Sequence, residues 1–438
     1  MKYLVVILLC LAISYTHAQP TALSLNDAIQ IALENNFDIR LSAIDQTIAE
    51  HQNTRGNAGF LPTISIQNQL LGQYSNTINP LDFAAGELNT LTDDLTLKAN
   101  WTLFGGFRAV ATKKLLDHTV GSSKLQAKMI VEGTVQSVLL TYYQAQLQKN
   151  QIDILVNQLD YSKNKKGLAE KQFKQGVIDN FEYQSITHNY WADSASLLQS
   201  KLSHQQLIAD LKQICVIADS SNITLSDSLP NNFKNYDFSE LAQQIQSNNA
   251  RLQLENTYLH IKSAQIEQSK SYRYPTLLAT AQTNHLRGAI DHSVFGTANA
   301  NETNVYIGLT LNFDLWRGGQ IQNQIQTSKL NFEQQQVRVE HVRFDLFNKL
   351  RKTLTTYNQL IQTLHVKQQR LQASATLMEI AQKRYDRGII DSRNWQEIKL
   401  GYLQDQADCL FITYQIIQQE SELIRISGGI LTDNSSFR

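Results

Sequence analysis

Side chains able to do covalent chemistry are sparse in this chain and badly placed for it. Histidines such as His188, His260 and His341 have no partners at metal-ligand spacing, so no metal site is expected. No GxSxG, GxxxxGK, CxxC or HExxH run occurs, which removes the usual short signatures of hydrolases, nucleotide-binding enzymes and zinc sites. Three cysteines remain to be placed. Cys10 sits inside an apolar N-terminal run and follows Leu9, a poor context for lipid modification. Cys215 and Cys409 read as isolated apolar helix positions, the ordinary setting of buried free thiols. The expectation is therefore a protein that is not an enzyme and has no cofactor, and the chemistry to look for is that of a surface or a passage.

The bulk composition narrows the partners. Lysine plus arginine equals aspartate plus glutamate at 39 each, so no net field favours a phosphate backbone, and no nucleic-acid partner is expected. Lys2, the apolar run Leu4 to Ile13, and small residues Thr16 and Ala18 before Gln19 have the three parts of a secretory signal, assigned here to residues 1–18. No later segment approaches the roughly 20 apolar residues of a membrane helix, so any spanning structure must be made of strands.

The elements that would hold such a passage show in the periodicity. Leu140, Leu147, Ile154, Tyr161 and Leu168 recur every seven residues, as do Leu350, Tyr357, Leu364, Leu371, Met378 and Tyr385. Around these narrow seams lie many glutamines, asparagines and lysines, which can face water. A helix from about Arg108 to Gln175 would reach roughly 100 Å, far more than a globule needs. The five prolines, Pro20, Pro62, Pro80, Pro230 and Pro275, fall only at boundaries.

The pattern occurs twice. Phe173-Lys174-Gln175-Gly176-Val177-Ile178-Asp179 returns as Tyr385-Asp386-Arg387-Gly388-Ile389-Ile390-Asp391, and Leu61-Pro62 returns as Tyr274-Pro275. Leu103-Phe104-Gly105-Gly106 returns as Leu315-Trp316-Arg317-Gly318-Gly319 with one insertion. The chain reads as a first repeat over 19–218, a linker over 219–238 rich in Ser, Asn and Asp, a second repeat over 239–430 and a tail over 431–438. Each repeat has an opening helix (Leu25 to Asn57; Ser239 to Ser271), a strand pair (about 61–104; about 274–315) and two long helices.

Period two is plain in Leu95, Leu97, Ala99, Trp101 and Leu103, and in Val305, Ile307, Leu309, Leu311, Phe313 and Leu315. Four strands of about ten residues suit a tilted crossing of a hydrocarbon layer, with aromatic residues including Trp101, Phe104, Tyr306 and Trp316 as an interfacial girdle. The polar stretches Gly72 to Asp94 and Leu286 to Thr303 read as long exterior loops. Four strands cannot close a barrel, and open edges in lipid leave backbone groups unsatisfied, so several copies must join. Two, three or four copies would give eight, twelve or sixteen strands, and the residues do not choose among them.

This order of elements, the duplicated half, Leu61-Pro62, Leu103-Phe104-Gly105-Gly106 and the Gly176 and Gly388 turns resemble the TolC family of outer-membrane efflux and secretion channels over about Leu23 to Ile430. The resemblance implies a mainly α fold with a β-barrel part: a homotrimer with one twelve-stranded barrel in outer-membrane lipid, continued by a periplasmic α-helical barrel. It implies a Gram-negative outer membrane, a periplasmic adaptor protein and an inner-membrane pump or exporter. It also implies a periplasmic aperture narrowed by acidic residues after the second glycine turn and held by a tyrosine. Counting from Gly388, the matching positions are Asn394 and Glu397 for the acids and Tyr385 for the tyrosine; only one acid is kept. The family's arginine two places after the glycine is Ile390 here, and Glu182 holds in the first repeat the place of Asn394. Gly176 and Gly388 would mark the turns touched by the adaptor. The competing readings are a periplasmic coiled-coil adaptor and a structural surface protein, which would share the heptads but not the two strand pairs.

Overall fold

A computed structural model describes residues 21–78 and 86–431. The signal segment 1–18, Cys10, Pro20, Pro80, part of the 72–94 stretch and nearly all of the 431–438 tail lie outside the described residues. Two units are present. The first comprises Met1–Ala43, Leu125–Gln253 and Val342–Arg438; the second comprises Ile44–Lys124 and Leu254–His341.

The elements duplicate almost residue for residue. A first set runs α1 (Leu25–Asn35), α2 (Phe37–Gln52), β2 (Thr63–Thr77), β3 (Gly86–Gly105), α3 (Arg108–Lys174) and α4 (Asn180–Cys215). A second runs α5 (Phe238–Asn248), α6 (Ala250–Lys270), β5 (Thr276–His292), β6 (Gly296–Asn312), α7 (Gln320–Asp386) and α8 (Ser392–Ser427). The paired long helices have 67 residues each and the shorter partners 36 each. At 1.5 Å per residue, α3 and α7 are about 100 Å long.

Each opening helix is broken where the sequence suggested one rod. The cause is the same in both repeats. Asn36 Oδ1 accepts from Asp38 N at 2.9 Å while its Nδ2 donates to the Ile214 carbonyl at 2.9 Å. Asn249 Oδ1 accepts from Leu252 N at 2.9 Å while its Nδ2 donates to the Ile426 carbonyl at 2.8 Å. An asparagine that caps a new helix and ties down the end of a distant one prefers an extended backbone to a helical one.

The core of the first unit gathers Leu25, Ile29, Val138, Leu139, Tyr142, Leu211, Ile417 and Ile424. The expected linker is not featureless. It contains β4 (Ile223–Leu225), which pairs in parallel with β1 (Thr21–Leu23). Buried Tyr142 fixes that junction, donating to the Leu23 carbonyl at 2.9 Å and accepting from Asp227 N at 3.1 Å. Cys215 and Cys409 are free and buried.

In the second unit the order β2-β3-β5-β6 makes an antiparallel sheet with β2 and β6 at its edges. The strands are longer than expected. Pairing runs from Thr63↔Asn100 to Thr77↔Gly86 and from Thr276↔Asn312 to His292↔Gly296, so most of both supposed exterior loops is strand. Polar side chains do not interrupt a ladder whose backbone groups are paired. Strand β6, conversely, stops at Asn312. Phe313, Leu315 and Trp316 belong to the turn into α7, where Arg317 and Asp314 form an ion pair at 2.5 Å and Gly318 and Gly319 have positive φ.

Candidate functional site: a two-faced sheet and a paired helical tip

Cross-strand register decides what the sheet presents. One face carries the rows Ile66, Leu97, Thr283, Val305 and Ile64, Ala99, Ala281, Ile307, followed by Trp101, Ala279, Leu309. The other face carries Ser65, Lys98, Gln282, Tyr306 and the polar residues in register with them. The apolar face is uncovered: Ile307 is 82% exposed, Val305 75% and Ile64 72%. So large a bare patch, on a sheet whose two edges are unpaired among the described residues, suits lipid better than water.

Register also sorts the four aromatic residues. Trp101 lies on the apolar face and donates its Nε1 to the Phe60 carbonyl at 2.9 Å. Between Thr102 and Phe104 the register slips. That bulge at Leu103 brings Phe104 opposite Leu277, onto the same face as Trp101, where plain alternation would have turned it away. Tyr306 falls on the polar face, opposite Gln282, with its ring lying over Gly308. Its period-two neighbours are Asn304 and Gly308, so it is no part of an outward girdle with Trp101. Trp316 is exposed in the turn after the sheet.

The β3–α3 turn is built tightly. Gly106 and Phe107 both have positive φ, 63° and 67°. A Cβ on Gly106 would collide with the Ser271 carbonyl oxygen and come within 3.0 Å of Tyr274 Cβ, so only glycine fits. Phe107 is held in its uncommon conformation by edge-on contacts with Phe104 and Tyr274 at 5.4 and 6.2 Å.

The other candidate region lies in the first unit, where α3 turns into α4 and α7 into α8. Gly176 and Gly388 occupy these turns with φ of 74° and 70° and open space where a side chain would go. Asp179 and Asp391 then cap the following helices, accepting from Glu182 N and Asn394 N, both at 2.8 Å. Asn394 is thus an exposed residue of the first helical turn. Glu182 and Glu397 line one groove of about 560 Å³, together with Asp179, Asp391, Arg393 and Asn189. Asn394 and Tyr385 are not among its lining residues.

Tyr385 belongs to a cluster whose centre the sequence reading missed. Trp395, 1% exposed, stacks on Tyr161 of α3 at 4.1 Å and meets Tyr385 of α7 at 5.7 Å. Its Nε1 donates to Gln382 Oε1 at 3.0 Å. Two lysines close over the rings: Lys399 stands 3.9 Å from the Tyr161 centroid, and Lys165 stands 5.6 Å from that of Trp395 and bonds the Ser392 hydroxyl. Asn189 of α4 donates to Gln396 of α8 at 3.2 Å. One helix pair is therefore bolted to the other. Burial pushes the Lys399 ammonium down to about 8 against the pull of Asp193, and burial also lowers Lys165. Burial, reinforced by Glu182, raises Tyr385. A clue was present in the sequence: Tyr161 and Lys165, like Trp395 and Lys399, are four residues apart and share a helix face.

Among the described residues, an amphipathic four-stranded sheet with unpaired edges and a duplicated set of very long helices are the parts of a passive channel of the outer membrane. Residues 28–215 and 241–429 match the family of outer membrane efflux proteins, and the chain belongs to that family. The protease secretion protein PrtF of Dickeya chrysanthemi is 19% identical over 360 residues, covering 79% of this chain and 75% of that protein. Among solved structures, the Campylobacter jejuni CmeC outer membrane channel superposes with a TM-score of 0.76 at 17% identity, covering 92% of this chain and 85% of that one. CusC, described in connection with transmembrane channel formation, gives 0.75 at 15% identity, covering 94% and 96%. The protein is an exit duct of the Gram-negative outer membrane with a periplasmic helical part, for efflux or secretion, and is not an enzyme.

Proposed function

We propose that three copies of this chain join edge to edge, β2 of one to β6 of the next, into one twelve-stranded barrel above a periplasmic helical tunnel. The carrying observation is the pair of unpaired edges on a sheet whose one face is bare hydrocarbon; closure by neighbouring copies satisfies every backbone group in lipid. Heat-modifiable migration of a detergent-extracted oligomer, with a mass three times that of the chain, tests it. A monomer that stays in solution without detergent refutes it.

The duct has no energy source of its own, so a periplasmic adaptor and an inner-membrane pump or exporter complete the system, with the Gly176 and Gly388 turns as the adaptor's contact. Crosslinkers placed at Gln175 and Arg387 should capture the adaptor; capture of barrel-side neighbours alone overturns this assignment. The repeats are read as 19–218 and 239–430. The aperture is read at the shared groove: Glu397 and Glu182, repeated about the axis, form a ring of carboxylates that attracts cations and repels anions. Glu182 thereby supplies the charge that Asn394 lacks, and Trp395 with its two lysines replaces the missing arginine link at Ile390 as the latch between helix pairs, with Tyr385 at its edge. Trp101 and Phe104 face lipid at the sheet's helical end, Trp316 stands in the adjoining turn, and Tyr306 lines the lumen. Cation selectivity in planar bilayers should fall for Glu397→Ala and fall further when Glu182→Ala is added; unchanged selectivity in the double variant removes both from the mouth.

A further inference from the structure

Followed toward the hairpin tips, the outward face of the sheet changes character in an ordered way. Along β6 it is apolar from Leu311 through Leu309 and Ile307 to Val305, about 20 Å at 3.4 Å per residue, and then becomes Thr303, Asn301 and Asn299. In the same register β5 turns from Ala281 and Thr283 to His285 and Arg287, while the neighbouring β3 and β2 keep Leu95, Leu91 and Leu70 on this face, so the change to polar belongs mainly to the β5–β6 half. Because the opposite strand ends, Gly105 and Asn312, lead into α3 and α7, which continue into the periplasmic part, these rows lie toward the outer leaflet.

Arg287 and His285 are not loose surface groups. Arg287 Nε donates to His285 Nε2 at 3.1 Å, and His285 Nδ1 pairs with the Thr303 hydroxyl at 2.8 Å, which orients the guanidinium along the sheet. Asp93 and Leu70 share the row with Arg287; Asp93 is half-buried with its Oδ1 shut away from solvent, and Arg287 is the exposed charge of the row. One step nearer the tips, a groove of about 530 Å³ is floored by Leu91 and Ala289 and edged by Tyr74, Asn89, Asp291 and Thr297. An aromatic ring among amide, carboxylate and hydroxyl groups is chemistry suited to sugar hydroxyls.

An apolar band, an exposed guanidinium and a groove with an aromatic ring and polar groups thus follow one another in the order of the parts of a phosphorylated glycolipid. We propose that the outward face above the apolar band is a binding site for such a glycolipid of the outer leaflet, with its phosphate on the Arg287 guanidinium that His285 orients and its sugars in the Tyr74 groove. The planar guanidinium fork suits phosphate oxygens. The site rests on the outer-membrane placement of the sheet and not on the aperture or the partners proposed above.

The test uses the full-length oligomer in detergent, with retained lipid measured by native mass spectrometry. Arg287→Ala should lower retention of bisphosphorylated lipid A at least five-fold and leave fully dephosphorylated lipid A unchanged. Lys98→Ala, on the opposite face, should leave both unchanged. Asn89→Ala with Asp291→Ala should weaken lipopolysaccharide carrying core sugars more than lipid A. Equal retention by Arg287→Ala or an equal fall with Lys98→Ala would each overturn the phosphate site, and displacement of the lipid by millimolar inorganic phosphate would overturn the glycolipid as its occupant. An equal effect of the groove variant on both lipids would overturn the sugar site. Oligomer migration and conductance, read on the same samples, report separately whether the duct itself is intact.

Discussion

Trp395 is the residue on which the proposed latch between the helix pairs depends most. Replacing it with alanine removes a buried indole that stacks on Tyr161, touches Tyr385, hydrogen-bonds Gln382 and lies beneath Lys165 and Lys399. Large-to-small truncation of a buried tryptophan costs about 3–5 kcal/mol. The ring also draws the two ammonium groups, each such contact contributing about 0.5–2 kcal/mol. If about 4 kcal/mol of this holds the helix pairs together, its loss shifts the balance between closed and dilated tips about a thousand-fold, at about 1.4 kcal/mol per ten-fold. Trp395→Phe keeps a ring on Tyr161 but loses the bond to Gln382, worth about 1 kcal/mol, a shift of only about five-fold. Single-channel recording in planar bilayers should show long-lived high-conductance states for Trp395→Ala and brief ones for Trp395→Phe. If Trp395→Ala lowers the urea midpoint yet leaves the conductance distribution unchanged, the cluster is a structural core and not a latch.

Ile307→Arg places a charge on the bare face and should cost about 2–4 kcal/mol of barrel stability, measured as loss of folded oligomer in a lipid refolding titration. Thr310→Arg, on the polar face, should refold normally and alter only conductance. Glu422 accepts from Arg425 and Gln136 and pairs with Lys349, and these contacts outweigh burial and hold its carboxyl down to about 2. A carboxylate whose folded pKa is depressed stabilises the fold fully above its unfolded value of 4.5, and that contribution disappears as pH falls toward 2. Denaturant midpoints should therefore drop across that window, and Glu422→Gln should flatten the drop. Gly106→Ala should sharply reduce oligomer yield, since the added carbon meets the Ser271 carbonyl. Gly388→Ala meets open space and should cost only the left-handed strain of about 1 kcal/mol, leaving thermal stability nearly intact.

Much of this protein is written in one dimension. Heptads at Leu140 to Leu168 and Leu350 to Tyr385, alternation at Leu95 to Leu103 and Val305 to Leu311, and the returning Gly176 and Gly388 turns suffice for two copies of helix, strand pair and long helices. Helical and strand periods are local properties of a chain, set by backbone geometry and by which face must leave water. For the same reason the sequence could offer Tyr161 and Tyr385 as seam positions without showing what they meet. Tertiary structure alone decided that Trp395 lies between them, because stacking across α3, α7 and α8 depends on how helices far apart in sequence are set side by side. It alone made Asn36 and Asn249 breaks in the opening helices, since each answers to a carbonyl on a remote helix. It alone turned Phe104 onto the face of Trp101: a single bulge reverses the parity of every residue beyond it, and only the pairing of strands fixes where that bulge falls, whereas Tyr306, between Val305 and Ile307 on an unbroken strand, was already assigned to the opposite face by alternation.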